Sequence, residues 1–341
     1  MNPSPEAPLL EVHDLEVRYP LHGGRRGAST LTAVAGVSFR LDQGESLGVV
    51  GESGSGKSSL ARALLRLTPA AGRALFLGHD LLRLQGEALR ATREHLQIIF
   101  QDPHGALDPH LRIADIVAEP LREFPPPPPA RQDEAVRRML ARVGLGAELL
   151  GRYPHQLSGG QAQRVGIARA LILHPRLLIC DEPMAALDVS IRAQITNLLR
   201  DMRRELGLSL LYIAHDLASV RYLCERVMVL YRGRVMELAG REALFGHAQH
   251  PYTRALLAAE PIAQPLPAAP APSAPPASTA PPAPGDAVAS PAHAAGCVFH
   301  ARCPLRVARC RAETPTLRAV AGHQVACHRA GEAVEAGDSR G

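Results

Sequence analysis

Eight consecutive residues, Gly51-Glu52-Ser53-Gly54-Ser55-Gly56-Lys57-Ser58, concentrate the chemistry of this chain. Their glycines let the backbone curl until successive N–H groups face one point, which suits an anion. The spacing G-x-x-x-x-G-K-S then adds a lysine that reaches terminal phosphates and a hydroxyl that ligates Mg2+. A Gly/Ser-rich loop with a chance lysine is the competing reading. It loses weight because an apolar run, Ser46 to Val50, precedes the motif and a helix-forming run from Lys57 to about Leu67 follows it. That helix adds the partial positive charge of its N-terminus.

Two carboxylates form a second group. Asp181 and Glu182 end the apolar run Leu177 to Cys180. There Asp181 is placed to hold Mg2+ through water and Glu182 to polarise an attacking water. The pair also suits a helix N-terminus, but beside a phosphate loop the hydrolytic reading is the stronger. A third apolar run, Ser209 to Ala214, ends at His215. Strands that finish in polar residues fit an open α/β sheet, whose ligands bind at the carboxyl ends. Many nucleotide hydrolases share these features.

The elements that position these groups fall into three regions. Residues 9–260 alternate strand and helix patterns, with a mostly helical stretch at about 102–175 that the Pro125 to Pro129 run interrupts. Val227 to Leu230 and Arg234 to Glu237 read as a hairpin around Arg232-Gly233. Residues 261–293 are dominated by Pro, Ala and Ser and read as an extended linker. Residues 294–332 hold four cysteines and are too few for an ordinary core.

Composition bounds the class. The chain has 341 residues, 46% hydrophobic but only 4% aromatic and without Trp, so its core is aliphatic, as in sheets covered by helices. The net charge of +5 comes from scattered Arg rather than a dense basic block, which gives no sign of a nucleic-acid tail. Met1 to Leu10 lacks a basic start and an apolar run, so no secretory signal is expected. No run reaches the roughly 18 apolar residues of a membrane span. A cytosolic or peripheral protein is expected.

Leu157-Ser158-Gly159-Gly160-Gln161 narrows the field. The run Leu157 to Leu171, followed closely by the Asp181-Glu182 strand, resembles the ABC ATPase family over about residues 9–260. The resemblance implies an α/β P-loop NTPase cassette with a core α/β sheet, an antiparallel β part and a helical subdomain, here extended by a small Cys-rich C-terminal lobe. It implies that Tyr19 stacks on adenine, although a strand-edge Tyr beside Pro20 remains an alternative. Gly51, Ser53, Gly54, Ser55, Gly56, Lys57, Ser58 and Ser59 would hold the phosphates of ATP. Ser58, Gln101 and Asp181 would hold Mg2+, and Glu182, His215, Gln101 and Lys57 would carry hydrolysis. Ser158, Gly159, Gly160, Gln161 and Asp188 would face the ATP of a second cassette packed head to tail. Ala162 and Ala185 depart from the family pattern without removing a catalytic group.

Further stretches resemble the oligopeptide/dipeptide branch of ABC importers: Ile98 to Pro103 with Ala106 to Pro109, Leu187 to Ser190, and His250 to Leu256 before the cysteine segment. That branch implies two membrane permease subunits, a second and non-identical ATPase subunit with a homodimer left open, and an extracytoplasmic solute-binding protein. It implies a peripheral position on the cytoplasmic face of the membrane and no nucleic-acid partner. Importers of nickel, glutathione or other solutes are related alternatives. A soluble ABC ATPase acting on ribosomes or DNA would bring a second cassette or a coiled coil, and the sequence has neither.

Cys297, Cys303, Cys310 and Cys327 crowd one short segment. Grouped cytosolic thiols point to a metal site. The lack of a C-x-x-C pair argues against a zinc ribbon, and four thiolates suit a [4Fe-4S] cluster, whose spacings vary. The cluster is the expectation; zinc and reduced, packed thiols are the alternatives. Cys180 and Cys224 lie in apolar runs and read as buried small hydrophobes.

Overall fold

The computed structural model describes residues 7–21, 29–124, 128–184, 187–259 and 296–332. The linker expected at 261–293 and Ala185 lie outside the described residues. In chain order, β1 (Leu10–Leu21) and β2 (Ser29–Leu41) lead to β3 (Ser46–Val50) and α1 (Lys57–Leu64). Next come β4 (Ala71–Phe76), β5 (His79–Asp80), α2 (Gly86–His95) and β6 (Leu96–Ile99). Three helices follow: α3 (Ile113–Glu123), α4 (Pro129–Arg142) and α5 (Gly159–Leu171). Then β7 (Leu177–Asp181), α6 (Val189–Leu206), β8 (Ser209–Ile213), α7 (Leu217–Leu223), β9 (Arg226–Tyr231) and β10 (Arg234–Gly240) rebuild the strand–helix alternation. Finally come α8 (Arg241–His247), α9 (Pro251–Ala259), α10 (Arg309–Ala312), β11 (Arg318–Val320) and β12 (His323–Val325).

Two sheets result. The smaller has the order β2-β1-β4-β5 and is antiparallel. The larger has the order β11-β12-β10-β9-β3-β8-β7-β6, with parallel pairing from β9 through β6. All residues of β3, β7 and β8 are buried, which is why they read as continuous apolar runs: both faces of the sheet are covered. Successive side chains then enter opposite cores. Leu177 and Ile179 pack with the β1–β4 sheet and α1, while Leu178 and Cys180 pack with the helices on the other face. Both expected hydrophobes, Cys180 and Cys224, are fully buried.

The C-terminal segment is less separate than its sequence implies. Its hairpin adds to the core sheet, with Glu237 opposite Val325 and Leu238 opposite Gln324. Strands of three residues cannot stand alone; docked on β10, they borrow the cassette's core. Cys297, Phe299, Cys303 and Cys310 join the larger apolar cluster. Glu237, wholly buried, is the anchor. Its carboxylate accepts from the backbone of Gln249 (2.8 Å) and His250 (3.0 Å) and from His323 Nδ1 (2.7 Å). Those bonds compensate a charge that would otherwise be expensive to bury.

His250 beside this anchor is 1% exposed, and its Nδ1 accepts the Tyr252 N–H at 3.0 Å. Burial lowers its pKa to about 4, below the ~6.5 of an unfolded chain. Between those values the unfolded state binds a proton that the folded state refuses, so stability falls as pH falls. The slope is about 1.4 kcal/mol per pH unit. We expect urea-unfolding free energies between about pH 4.5 and 6 to show that slope in the wild type and to lose it in His250→Asn, which keeps an acceptor for the Tyr252 amide. Parallel slopes in the two proteins would contradict the assignment.

Candidate active site

The phosphate loop joins the buried end of β3 to α1. Its shape is imposed by neighbours as well as by its glycines. A Cβ on Gly51 (φ 153°) would lie 2.2 Å from the Leu230 carbonyl oxygen, and one on Gly56 (φ 104°) 2.2 Å from that of Ala33. The β9–β10 turn closes over the loop, with Gly233 N donating to Ser55 O (2.8 Å) and Ala35 N to Gly233 O (2.8 Å). Ser55 Oγ is buried with no hydrogen-bond partner among the described residues. It is a donor suited to a phosphate oxygen.

Lys57 is 4% exposed. Its ammonium donates to the carbonyls of Gly51 (2.8 Å) and Glu52 (3.1 Å) and stands 3.7 Å from Glu182 Oε1. Burial lowers its pKa, while Glu182 and Asp181 oppose that shift. Ser58 Oγ donates to Asp181 Oδ1 at 2.8 Å. Burial raises the Asp181 pKa, and the Ser58 bond counters it.

Glu182 is the meeting point. Gln101 Nε2 donates to its Oε2 at 3.2 Å, and His215 Nδ1 lies 3.6 Å from the same oxygen. Its own backbone is left-handed (φ 47°), held by a bond from its N–H to Ile213 O (2.9 Å). Such strain in a non-glycine residue persists only where surroundings enforce it, and it concentrates at functional sites. The structure therefore brings Lys57, Ser58, Gln101, Asp181, Glu182 and His215 to one point. Tyr19 stands beside them, donating its hydroxyl to Ser59 Oγ at 3.3 Å.

Ser158–Gln161 form a separate exposed edge. Gln161 N donates to Ser158 Oγ (3.3 Å), and Ser158 N donates to Gln161 Oε1 (3.0 Å), a reciprocal cap that starts α5. Space is tight at Gly160, where a Cβ would lie 2.9 Å from the Ile191 side chain, but not at Gly159, where the nearest atom, on Leu187, would be at an ordinary 3.6 Å. Asp188, exposed, begins α6 on the same edge. Ala162 is fully buried, so its apolar side chain suits the slot.

Two contacts were missed by sequence reasoning. Glu52 N donates to Tyr252 Oη (3.0 Å), and Arg302 donates through both terminal nitrogens to the Glu52 carboxylate (2.9 and 3.0 Å). No spacing or period in the chain signals them. The cysteine expectation also changes. Cys297, Cys303 and Cys310 are buried and Cys327 partly so, all unbridged. Burial raises the pKa of Cys297, Cys303 and Cys327, and backbone N–H groups of Phe299, Leu305, Arg329 and Ala330 serve those three sulfurs. Among the described residues no group of three or more His, Cys, Asp or Glu side chains is arranged to hold a metal ion. Those three sulfurs are each served by backbone N–H groups of the turn that follows, and the iron–sulfur expectation is not shown by this arrangement.

Among the described residues, no helix is long and apolar enough to cross a membrane. The fold and site define a P-loop nucleotide-binding cassette with a C-terminal extension. Residues 34–185 match the ABC transporter family and residues 236–310 the oligopeptide/dipeptide transporter C-terminal region. The chain is 46% identical to the oligopeptide transport ATP-binding protein OppF of Escherichia coli, covering 94% of this chain and 95% of that one. It is also 46% identical to a probable peptide ABC transporter ATP-binding protein of Sinorhizobium fredii, over 94% and 89% of the two chains. A solved ATP-binding cassette in a dimeric, post-hydrolysis state bound to ADP and Pi superposes with a TM-score of 0.61 at 26% identity, covering 68% of this chain and 98% of that one. The cbiO1 cassette of Clostridium perfringens gives 0.61 at 29%, covering 71% and 92%. The chain belongs to the ABC transporter ATPase family, in its oligopeptide-transport ATP-binding branch.

Gly56→Ala would drive a methyl group into the Ala33 carbonyl. We expect a loss of about 2 kcal/mol or more in unfolding free energy, with ATP binding abolished, measured by denaturant titration and calorimetry. Wild-type stability and affinity would contradict this account of the loop.

Proposed function

We propose that this chain binds and hydrolyses ATP to energise an importer of di- and oligopeptides. The observation that carries the reading is the convergence of Lys57, Gln101 and His215 on Glu182. Glu182 orients the attacking water and takes up its proton as the new P–O bond forms and the bond to ADP breaks. Lys57 and His215 offset charge on the transferring phosphoryl group. Loop amides and Ser55 hold the phosphates, and Tyr19 supports the adenine. Ser58, Asp181 and Gln101 would hold Mg2+, which when bound would supply charge neutralisation to the phosphates. The donor set fits it: a hydroxyl, an amide oxygen and a carboxylate suit a hard cation.

The Ser158–Gln161 edge and Asp188 complete the site of a second cassette, non-identical in this branch. The exposure of Ser158 and Asp188 and the dimeric form of a superposable cassette support this. The remaining partners are two membrane permeases and an extracytoplasmic solute-binding protein, with this chain peripheral on the cytoplasmic face. The similarity to OppF across nearly the whole chain supports the peptide cargo.

Glu182→Gln keeps shape and hydrogen bonding but loses the base. We expect kcat for ATP hydrolysis in the reconstituted importer to fall by about 10²–10³-fold, with ATP affinity within about twofold. Hydrolysis at near wild-type rate would remove Glu182 from this role, and ATPase activity unresponsive to peptide-loaded binding protein would remove the cargo assignment.

For the C-terminal lobe we propose a [4Fe-4S] cluster on Cys297, Cys303, Cys310 and Cys327. The thiol chemistry of the set supports it. Iron analysis after anaerobic purification should give about four irons per chain; absence of iron after anaerobic reconstitution would sink the cluster.

A further inference from the structure

The phosphate loop is tethered from outside the cassette's motifs. Glu52, its second residue, is gripped at two points. Its N–H donates to Tyr252 Oη at 3.0 Å, and its carboxylate takes a two-pronged bond from Arg302 at 2.9 and 3.0 Å. Arg302 is 250 residues further along the chain. Its guanidinium is held in place: it lies 5.7 Å from the Tyr231 ring centroid and 5.8 Å from that of Phe299, and donates to Tyr231 Oη at 3.4 Å. Tyr231, Tyr252 and Phe299 pack on one another with centroids 4.6–5.4 Å apart. This aromatic cluster joins the end of β9, the start of α9 and the Cys-bearing segment directly beneath the loop.

We propose that Arg302 is a positioning residue for ATP binding, and that through it the C-terminal segment sets the shape of the phosphate loop. The inference rests on the hydrolytic reading above. Glu52, Ser53 and Gly54 are the exposed part of the loop. Within the loop itself their one backbone bond is Ser55 N to Glu52 O at 3.1 Å. A loop so lightly bonded must be ordered when its amides converge on phosphate, and a tether that orders it beforehand lowers that cost. The Glu52 main-chain oxygen also accepts from Lys57 (3.1 Å), so moving Glu52 moves the lysine's surroundings too. Because the tether acts on the loop before and during reaction alike, it changes ground-state and transition-state binding together, and its loss shows in KM rather than kcat. Arg302 and Glu52 are each about half exposed, at 55% and 42%. Solvent screening therefore limits the effect to a few-fold.

The test is the steady-state ATPase of the full chain in its assembled importer, with ATP titrated for the wild type, Arg302→Ala, Arg302→Lys, Glu52→Gln, Glu52→Ala and the Arg302→Ala/Glu52→Ala double variant. Arg302→Ala and Glu52→Ala should each raise KM for ATP by about fivefold with kcat within twofold, and the double variant should be no worse than either single one. Arg302→Lys should fall between, since an ammonium keeps the charge but not the two-pronged geometry. A merely structural contact predicts instead an unchanged KM, or single effects that multiply in the double variant, and either result overturns the proposal. If Arg302→Ala melts the lobe, Glu52→Gln leaves the lobe untouched, and an unchanged KM there overturns it as well. A wild type that binds ATP but does not hydrolyse it would refute the hydrolytic reading instead; equilibrium ATP binding by the same variants then decides the tether, with the same fivefold expectation.

Discussion

A buried ammonium governs the architecture of the site. Lys57 cannot keep its charge at 4% exposure without partners, and the chain supplies two loop carbonyls and the Glu182 carboxylate. Those partners must come from separate elements. The carbonyls require the tight loop after β3, which requires Gly51 and Gly56 against the Leu230 and Ala33 carbonyls. Glu182 must project from the end of β7, and its left-handed backbone is fixed by a bond across to Ile213 on β8. The parallel register of β3, β8 and β7 thus decides whether the lysine is stabilised. Once it is, the same carboxylate is in reach of His215, which follows β8, and of Gln101, which follows one further strand of that sheet, β6. The groups that share a proton and a phosphate are also those that keep a buried charge compensated.

A second dependence runs from the core to the C-terminal segment. That segment buries its aromatic and cysteine side chains only by leaning on β9, β10 and α9. Glu237 fastens it through one hydrogen bond, with His323, while the Gln249 and His250 amides hold the same carboxylate from within the cassette, and Arg302 returns the contact to the phosphate loop. The segment thus packs on the cassette and touches the phosphate loop at Glu52.

Much of the site is legible in the sequence because its groups sit at strand ends and at short fixed spacings. Gly51 to Ser58, Asp181, Glu182 and His215 follow from such runs, and Ser158 to Gln161 announce a helix start. Gln101 and Tyr19 are legible only through family resemblance. What the residues alone could not disclose is long-range geometry. The meeting of three side chains on Glu182 depends on sheet order, and the Arg302 bond spans a Pro-rich stretch that reads as a boundary. β11 and β12, three residues each, are too short to carry a period. The reciprocal cap at Ser158 starts α5 at Gly159.

The most direct test of this account is a high-resolution structure of the chain with ATP and Mg2+ bound. The account predicts that Lys57 Nζ leaves the Gly51 and Glu52 carbonyls for the phosphates, that Ser58 Oγ and Asp181 exchange their mutual bond for the metal ion, and that Glu182 faces the γ-phosphate. Nucleotide bound elsewhere, with the Lys57–carbonyl and Ser58–Asp181 bonds intact, would contradict it.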